Sequence, residues 1–335
     1  MKASFKKYKL NFKRPGGTSR GVLTQKETYF LTIKEDKKEG IGECNLFKNL
    51  SADDVPHYEL VLTDFCEKIN QGEPIEWKDW REFPSIQFGY EQALLSLQSK
   101  NQVLIPSAFT EGKEGIQING LIWMGDVDFM KMQIQEKLNA GYHCLKLKIG
   151  TNWLAEKEIL AELRKSFSAA SLELRVDANG AFDFEKAKEV LADLAKLQVH
   201  SIEQPIQQGQ WEEMAALCAR TPTPIALDEE LIGVFTFEKK EELMKEIQPQ
   251  YIILKPALIG GFQGSEEWIT LAESHQIGWW VTSALESNIG LNAIAQWTFN
   301  LNNPLPQGLG TGGLFTNNTP SRLEVRGEQL WFNAD

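Results

Sequence analysis

No apolar run in this sequence approaches the roughly 18 residues that a membrane-spanning helix needs. The Lys-rich start (Lys2, Lys6, Lys7, Lys9) also lacks the apolar stretch of a secretory signal. A cytoplasmic location is expected, with no membrane partner. Cysteine and histidine are scarce, four of each in 335 residues. Cys44, Cys66, Cys144 and Cys218 show no Cys-x-x-Cys spacing and read as small buried residues of a reducing compartment. His57, His143, His200 and His275 are dispersed without metal-ligand spacing, which argues against zinc. Positive charge is short as well: 35 Lys and Arg stand against 46 Asp and Glu, a formal charge of -11. With no local basic cluster to offset it, that charge repels nucleic acid and anionic membranes. No oligomeric state is implied.

What is present is enough apolar sequence, 42% of residues, to bury a large core in two unequal domains. Up to about residue 60, β-branched and aromatic runs are broken by Pro15-Gly16-Gly17 and by a charged turn at 35–40, which predicts an antiparallel meander. Helical spacing follows and ends in a helix over 90–97. From residue 116 short apolar runs alternate with amphipathic segments, the pattern of repeated βα units. Candidate strands lie at 116–122, 144–149, 172–176, 201–202, 225–227, 251–254, 279–282 and, weakly, 306–308. Between Asp183, a candidate N-cap, and Leu197, the residues Ala187, Val190, Leu191, Leu194 and Leu197 form one helical stripe. The expected fold class is α/β, a (β/α)8-type barrel with an α+β capping domain, and a doubly wound sheet is the alternative. The capping domain is expected over 1–112, completed by 311–335, and the barrel over 113–310. The strand-like run 322–332 is expected to return to the first domain.

Polar residues recur at the C-terminal ends of these strands: Lys146 and Lys148, Asp177, Glu203, Asp228, Lys255 and Ser283. From Lys148 the steps are 29, 26, 25, 27 and 28 residues, each about one βα unit. In a barrel that register gathers them around one mouth. In the run 172–177, outward Leu172, Leu174 and Val176 require Arg175 and Asp177 to face inward, and the same alternation turns Lys146 and Lys148 inward. Taken singly, an acid or lysine at a strand end reads as a solvated loop residue or a cap. Five in one register favour a functional site.

Three converging carboxylates would repel one another unless a cation compensates. Oxygen-only ligation favours Mg2+, with Mn2+ as a substitute, held by Asp177, Glu203 and Asp228. Lysines flanking that charge, Lys148 and Lys255, are candidate bases whose ammonium pKa a nearby cation lowers. Arg175 and Lys146 have the alternative role of neutralising carboxylates, and Asn179 that of a turn residue before Gly180.

The segments Lys146-Leu147-Lys148, Asp177-Ala178-Asn179-Gly180, Ile202-Glu203-Gln204-Pro205, Ala226-Leu227-Asp228-Glu229 and Leu254-Lys255-Pro256 together resemble the enolase superfamily, in its muconate-lactonizing-like branch, over nearly the whole chain. The resemblance implies a modified TIM barrel under a capping domain and a small-molecule carboxylate substrate whose α-proton is removed to give a metal-stabilised enediolate. It further implies Lys148 as the base, Lys146 as its electrostatic support, and Lys255 as a second acid/base or a stabilising charge. A histidine base at the later position is excluded, because Lys255 stands there.

Residues 282–290 and 307–315 resemble the dehydratases of that branch, carbon-oxygen lyases that act on a succinyl-bearing hydroxycyclohexadiene carboxylate in menaquinone biosynthesis. Arg175, Asn179, Ser283 and Ser287 are the candidate substrate contacts, a helix N-cap being an equal reading of Ser287. Dipeptide epimerization is the first alternative, but it usually requires an Asp-x-Asp at the eighth strand, and 308–313 contains no acid. Racemization of N-succinylamino acids shares the barrel chemistry and stays open. A non-enzymatic barrel would not need the complete set of bases and ligands. Capping loops near 16–21 and 44–50 are expected to shape the pocket.

Overall fold

The computed structural model describes residues 1–18 and 21–334. Alternating apolar residues near the start build an antiparallel sheet, β1 (Lys2–Thr18), β2 (Gly21–Glu35) and β3 (Lys38–Cys44), in that spatial order. Pro15-Gly16-Gly17 does not end β1 as expected. The pairing register shifts between Asn11 and Gly16, so a bulge absorbs the proline, which has no N–H to donate, and the strand continues. Two helices cover the sheet: α1 (Tyr58–Gln71) and α2 (Pro84–Gln98). The second begins ahead of the predicted 90–97 because Pro84, whose missing donor costs nothing at a helix start, opens it. β3 lies almost against α2. A Cβ on Gly42 would stand 1.9 Å from the Gly89 carbonyl oxygen, so only glycine permits the approach.

The remainder runs β4 (Ile116–Gln117), β5 (Gly120–Ile122), α3 (Val127–Asn139), β6 (Cys144–Lys148), α4 (Trp153–Ser166), β7 (Glu173–Asp177), α5 (Phe184–Lys196), β8 (Ser201–Glu203), α6 (Trp211–Cys218) and β9 (Ile225–Leu227). It continues α7 (Phe237–Ile247), β10 (Tyr251–Leu254), α8 (Pro256–Ile259), α9 (Gly261–Ser274), β11 (Gly278–Val281), α10 (Asn288–Asn300), β12 (Leu323–Arg326) and β13 (Gln329–Phe332). Strands β5 to β11 form one seven-stranded parallel sheet in sequence order. Residues 307–308 occupy the eighth place as a pair of parallel bridges, to Ile118 on one side and Thr282 on the other. Gly308 N donates to Val281 O at 2.8 Å and Gln307 N to Gln117 O at 2.8 Å, so the sheet closes on itself and the doubly wound alternative falls away. In α5, Asp183 accepts from Lys186 N, and Ala187, Val190, Leu191 and Leu194 are buried against the strands.

The closing hairpin β12–β13 packs Phe332 against Phe109, at the end of the stretch expected to form the first domain. It pairs with β4, where the short strand offers an unpaired edge. The residues just before it reach the cap: Phe315 bridges to Phe12, and Thr316 N donates to Asn11 O at 2.9 Å.

The cap also grips the barrel through a helix start. α9 follows Gly260, which has no side chain to cap it. Glu91 of α2 supplies the acceptor instead, taking hydrogen bonds from Phe262 N at 2.5 Å and Gln263 N at 3.1 Å, while Phe88 packs edge-on to Phe262. All four cysteines are free and buried. Among the described residues no helix is long and apolar enough to cross a membrane.

Candidate active site

Pairing between neighbouring strands brings the strand-end residues side by side. Lys148 stands opposite Asp177 in the β6–β7 pair, and Asp177 opposite Glu203 in β7–β8. Asp228 and Lys255 follow β9 and β10 immediately. Lys146 Nζ bonds Glu203 Oε2 and lies 3.1 Å from Asp177 Oδ2. Lys148 Nζ donates to Asp177 Oδ2 at 2.8 Å and to Asn179 Oδ1 at 2.9 Å. Lys255 Nζ bonds Asp228 Oδ2 and lies 3.6 Å from Glu203 Oε1. The side chains of the three acids are 1–2% exposed and those of Lys148 and Lys255 12%, so the cluster is dry apart from the lysine tips.

Burial opposes ionisation of Asp177, but Lys146 and Lys148 outweigh it and hold the carboxyl below its usual range. Glu203 goes the other way: burial, reinforced by the charge of Asp177, pushes it up to about 7. Asp228 is raised by burial and by Glu229 beside it. Burial disfavours the ammonium of Lys146 and of Lys255, yet the facing carboxylates prevail and raise both. Without a further cation, these lysines serve as counterions of the acids.

The donor set fits a hard divalent ion. Its ligands are oxygens only, and Glu203 Oε1 is buried with no hydrogen-bond partner, an orphan that a cation would satisfy. Among the described residues no three acidic, histidine or cysteine side chains are drawn into a ready-made ligand cluster. The ammonium groups of Lys146 and Lys255 stand between the carboxylates instead.

The cluster opens on a cavity beneath the cap. Lys146, Lys148, Asp177, Asn179 and Lys255 line one end, Ser283 and Thr311 line another part, and Leu23, Phe47 and Leu50 of the cap form an apolar roof. Of the two loops expected to shape the pocket, 44–50 reaches it through Phe47 and Leu50; next to 16–21 it is Leu23 of β2 that lines the wall, and Ser19 and Arg20 lie outside the described residues.

Two candidate contacts do not reach the cavity. Arg175 faces inward as the alternation requires, but two residues below Asp177, roughly 7 Å deeper in the barrel. There it is 1% exposed, donates to Glu173 and to Pro306 O, and stacks 4.3 Å from the Trp280 ring centroid, filling the barrel interior. Ser287 is fully buried. It caps α10 by accepting from Ile289 N and donates its hydroxyl to Glu43 Oε2 at 2.6 Å, which makes it a tie between barrel and cap. Ser283 lines the cavity. So does Asn179, which has a left-handed φ of 46° and links Lys148 to Glu229 through its amide.

Sequence reasoning missed Asn119, whose Oδ1 is buried without a partner on a residue that lines the cavity, and Thr282 and Thr311 on the same wall. An Asn just before the first barrel strand carries no local signal. Thr282 follows the seventh strand directly, and its place there was the available clue.

Residues 130–328 match the family model described as enolase C-terminal domain-like. Over 98% of this chain and 98% of its own length, the o-succinylbenzoate synthase of Desulfotalea psychrophila is 47% identical. The crystal structure of MenC from the same organism superposes with a TM-score of 0.89 at 44% identity, covering 99% of both chains. An N-succinylamino acid racemase of Thermus thermophilus is 33% identical over 47% of this chain and 40% of its own length.

Proposed function

Because the chain belongs to the enolase C-terminal domain-like family, we propose that it is an enzyme catalysing the o-succinylbenzoate synthase reaction: dehydration of 2-succinyl-6-hydroxy-2,4-cyclohexadiene-1-carboxylate to 2-succinylbenzoate and water. The observation that carries the reading is a pair of lysines, Lys148 and Lys255, extended from well-separated strands of one barrel around three buried carboxylates. That arrangement suits removal of a proton α to a carboxylate.

Asp177, Glu203 and Asp228 would hold Mg2+, or Mn2+ in its place. When bound, such an ion supplies positive charge for the substrate carboxylate and for the negative charge that spreads into it, and it relieves the lysines of their counterion duty. Lys148 takes the proton from ring carbon 1 and, protonated, gives it to the hydroxyl leaving carbon 6 on the same face. The C1–H electron pair becomes the new C1–C6 double bond that completes the aromatic ring, the C6–O pair leaves with the oxygen, and one water departs. Asn179 holds the Lys148 amine on its line of attack through the 2.9 Å contact. Lys146, buried between Asp177 and Glu203, adds positive charge behind it. Lys255 keeps its proton and places a cation on the far face of the ring. The apolar roof of Leu23, Phe47 and Leu50 excludes water from the ring. The natural setting of this reaction is menaquinone biosynthesis in the cytoplasm.

The test is to supply the cyclohexadiene with Mg2+ and follow the ultraviolet change as the aromatic product forms. Clean, metal-loaded protein that gives no turnover would overturn the assignment. N-Succinylamino acid racemization is the second reading, favoured by the lysines standing on both sides of the site. Exchange of the α-proton of N-succinylamino acids into deuterated water would reveal it.

A further inference from the structure

One arm of polar residues beside the cavity has no part in the proton transfer above. Lys26 of β2 bonds Asn45 Oδ1. Asn45 Nδ2 donates to Ala284 O at 3.1 Å and to Glu286 Oε1 at 2.9 Å. Glu286 Oε2 accepts from Ser283 Oγ at 2.5 Å, and Ser283 Oγ accepts from Thr311 Oγ1 at 2.9 Å and Leu285 N at 3.0 Å. Lys26, Asn45 and Glu286 are buried, and Ser283 and Thr311 end the arm at the cavity wall.

The polarity of this arm is determined from its inner end. A backbone carbonyl only accepts, so Asn45 must turn its NH2 to Ala284 O and Glu286 and its oxygen to Lys26. Glu286 Oε1 is then an acceptor in either protonation state, and any proton on Glu286 sits on Oε2, facing Ser283. With Glu286 ionised, the Ser283 proton points inward to it and the Thr311 proton points to Ser283. Both hydroxyl protons are spent, and the wall shows the cavity only lone pairs. With Glu286 protonated, Oε2–H donates to Ser283 and one hydroxyl proton is released toward the cavity.

We propose that Glu286 is a positioning residue that sets the direction of the Ser283 and Thr311 hydroxyls, so that a substrate carboxylate remote from the three-acid cluster binds this wall with uptake of one proton at Glu286. The inference rests on the dehydratase reading, whose substrate carries such a second carboxylate on its succinyl arm. Burial pushes the Glu286 carboxyl up to about 7 against its bond from Ser283; Glu43 of β3 raises it further and Lys26 of β2 lowers it. An anion arriving at Ser283 adds a further upward push.

The experiment follows KM and kcat from pH 6 to 9, together with calorimetric binding of 2-succinylbenzoate at pH 8 in buffers of different ionisation enthalpy. Wild type is expected to show KM rising by up to about tenfold per pH unit above pH 7 without a matching change in kcat, and uptake of close to one proton on binding. Glu286→Gln keeps an oxygen for Asn45 and a donor for Ser283, so its KM profile should be flat and its proton uptake lost. An unchanged KM slope in Glu286→Gln, or binding by wild type without proton uptake, would overturn the proposal. The calorimetry on wild type decides even where the variant fails to fold. Absent turnover with intact binding counts against the reaction rather than against this wall.

Discussion

Glu43 offers the sharpest test of how cap and barrel are held in register. Its carboxylate is fully buried on β3 and accepts four hydrogen bonds: from Thr28 Oγ1 at 2.9 Å, Ser287 N at 3.0 Å, Ser287 Oγ at 2.6 Å and Gly290 N at 3.1 Å. Three of these come from the start of α10, so the acid also faces the positive end of that helix. Glu43→Ala strands Ser287 N, Ser287 Oγ and Gly290 N away from water, while the Thr28 hydroxyl keeps Cys44 O as an acceptor at 3.2 Å. Hydrogen bonds to a charged group contribute about 1.5–3 kcal/mol each, and removal of a buried charge returns part of the loss, so a net cost of about 3–5 kcal/mol is expected. Urea unfolding followed by tryptophan fluorescence and by circular dichroism measures it, with coincident transitions as the condition for a single free energy. A double-mutant cycle with Ser287→Ala isolates the pair and should give a coupling of about 1–3 kcal/mol. A cost for Glu43→Ala below about 1 kcal/mol, or strict additivity with Ser287→Ala, would refute the claim that this carboxylate clamps the two parts together.

Lys148→Ala should abolish turnover while circular dichroism and melting temperature stay near wild type; appreciable residual activity would assign the base elsewhere. Asp177→Asn should weaken Mg2+ binding at least tenfold by titration calorimetry, and chelation should stop turnover until Mg2+ or Mn2+ is returned. Asn179→Ala frees the Lys148 amine and should lower kcat more than it raises KM. Asp53 gives a pH signature: burial pushes its carboxyl up to about 7, against two bonds from Ser85. The folded state therefore holds the proton more tightly than the unfolded chain, and this stabilisation is complete below pH 4 and lost as pH rises through 7. A shift of three units bounds the loss at about 4 kcal/mol. Melting temperature should fall over that range in wild type and fall less in Asp53→Asn; parallel profiles would refute it.

Repetition made the barrel readable. Each βα unit announces itself through a change of period, and the near-constant step from Lys148 through Ser283 places all the strand ends on one rim before any fold is known. Features without a period were opaque. Alternation assigns Arg175 and Asp177 to the same inward face but carries no depth, and depth separates a core-filling guanidinium from a rim carboxylate. Ser287 fits a cap and a ligand contact equally well until Glu43, distant in sequence, is seen beside it. The edge that β4 offers to the closing hairpin and the Lys26–Asn45–Glu286 arm both depend on partners distant in the chain, which local pattern does not register.

Glu91 has a consequence for exchange between relatives. The helix it completes belongs to the barrel, whereas the acid belongs to the cap, so the barrel does not carry all of its own helix-starting chemistry. A chimera that joins this barrel to a foreign cap lacking an acid at that place inherits bare amides at the head of α9, beside the helix that follows Lys255. Swapping caps to change substrate preference thus disturbs a barrel helix adjoining the catalytic rim, and a compatible donor is one that brings its own carboxylate to Phe262 and Gln263.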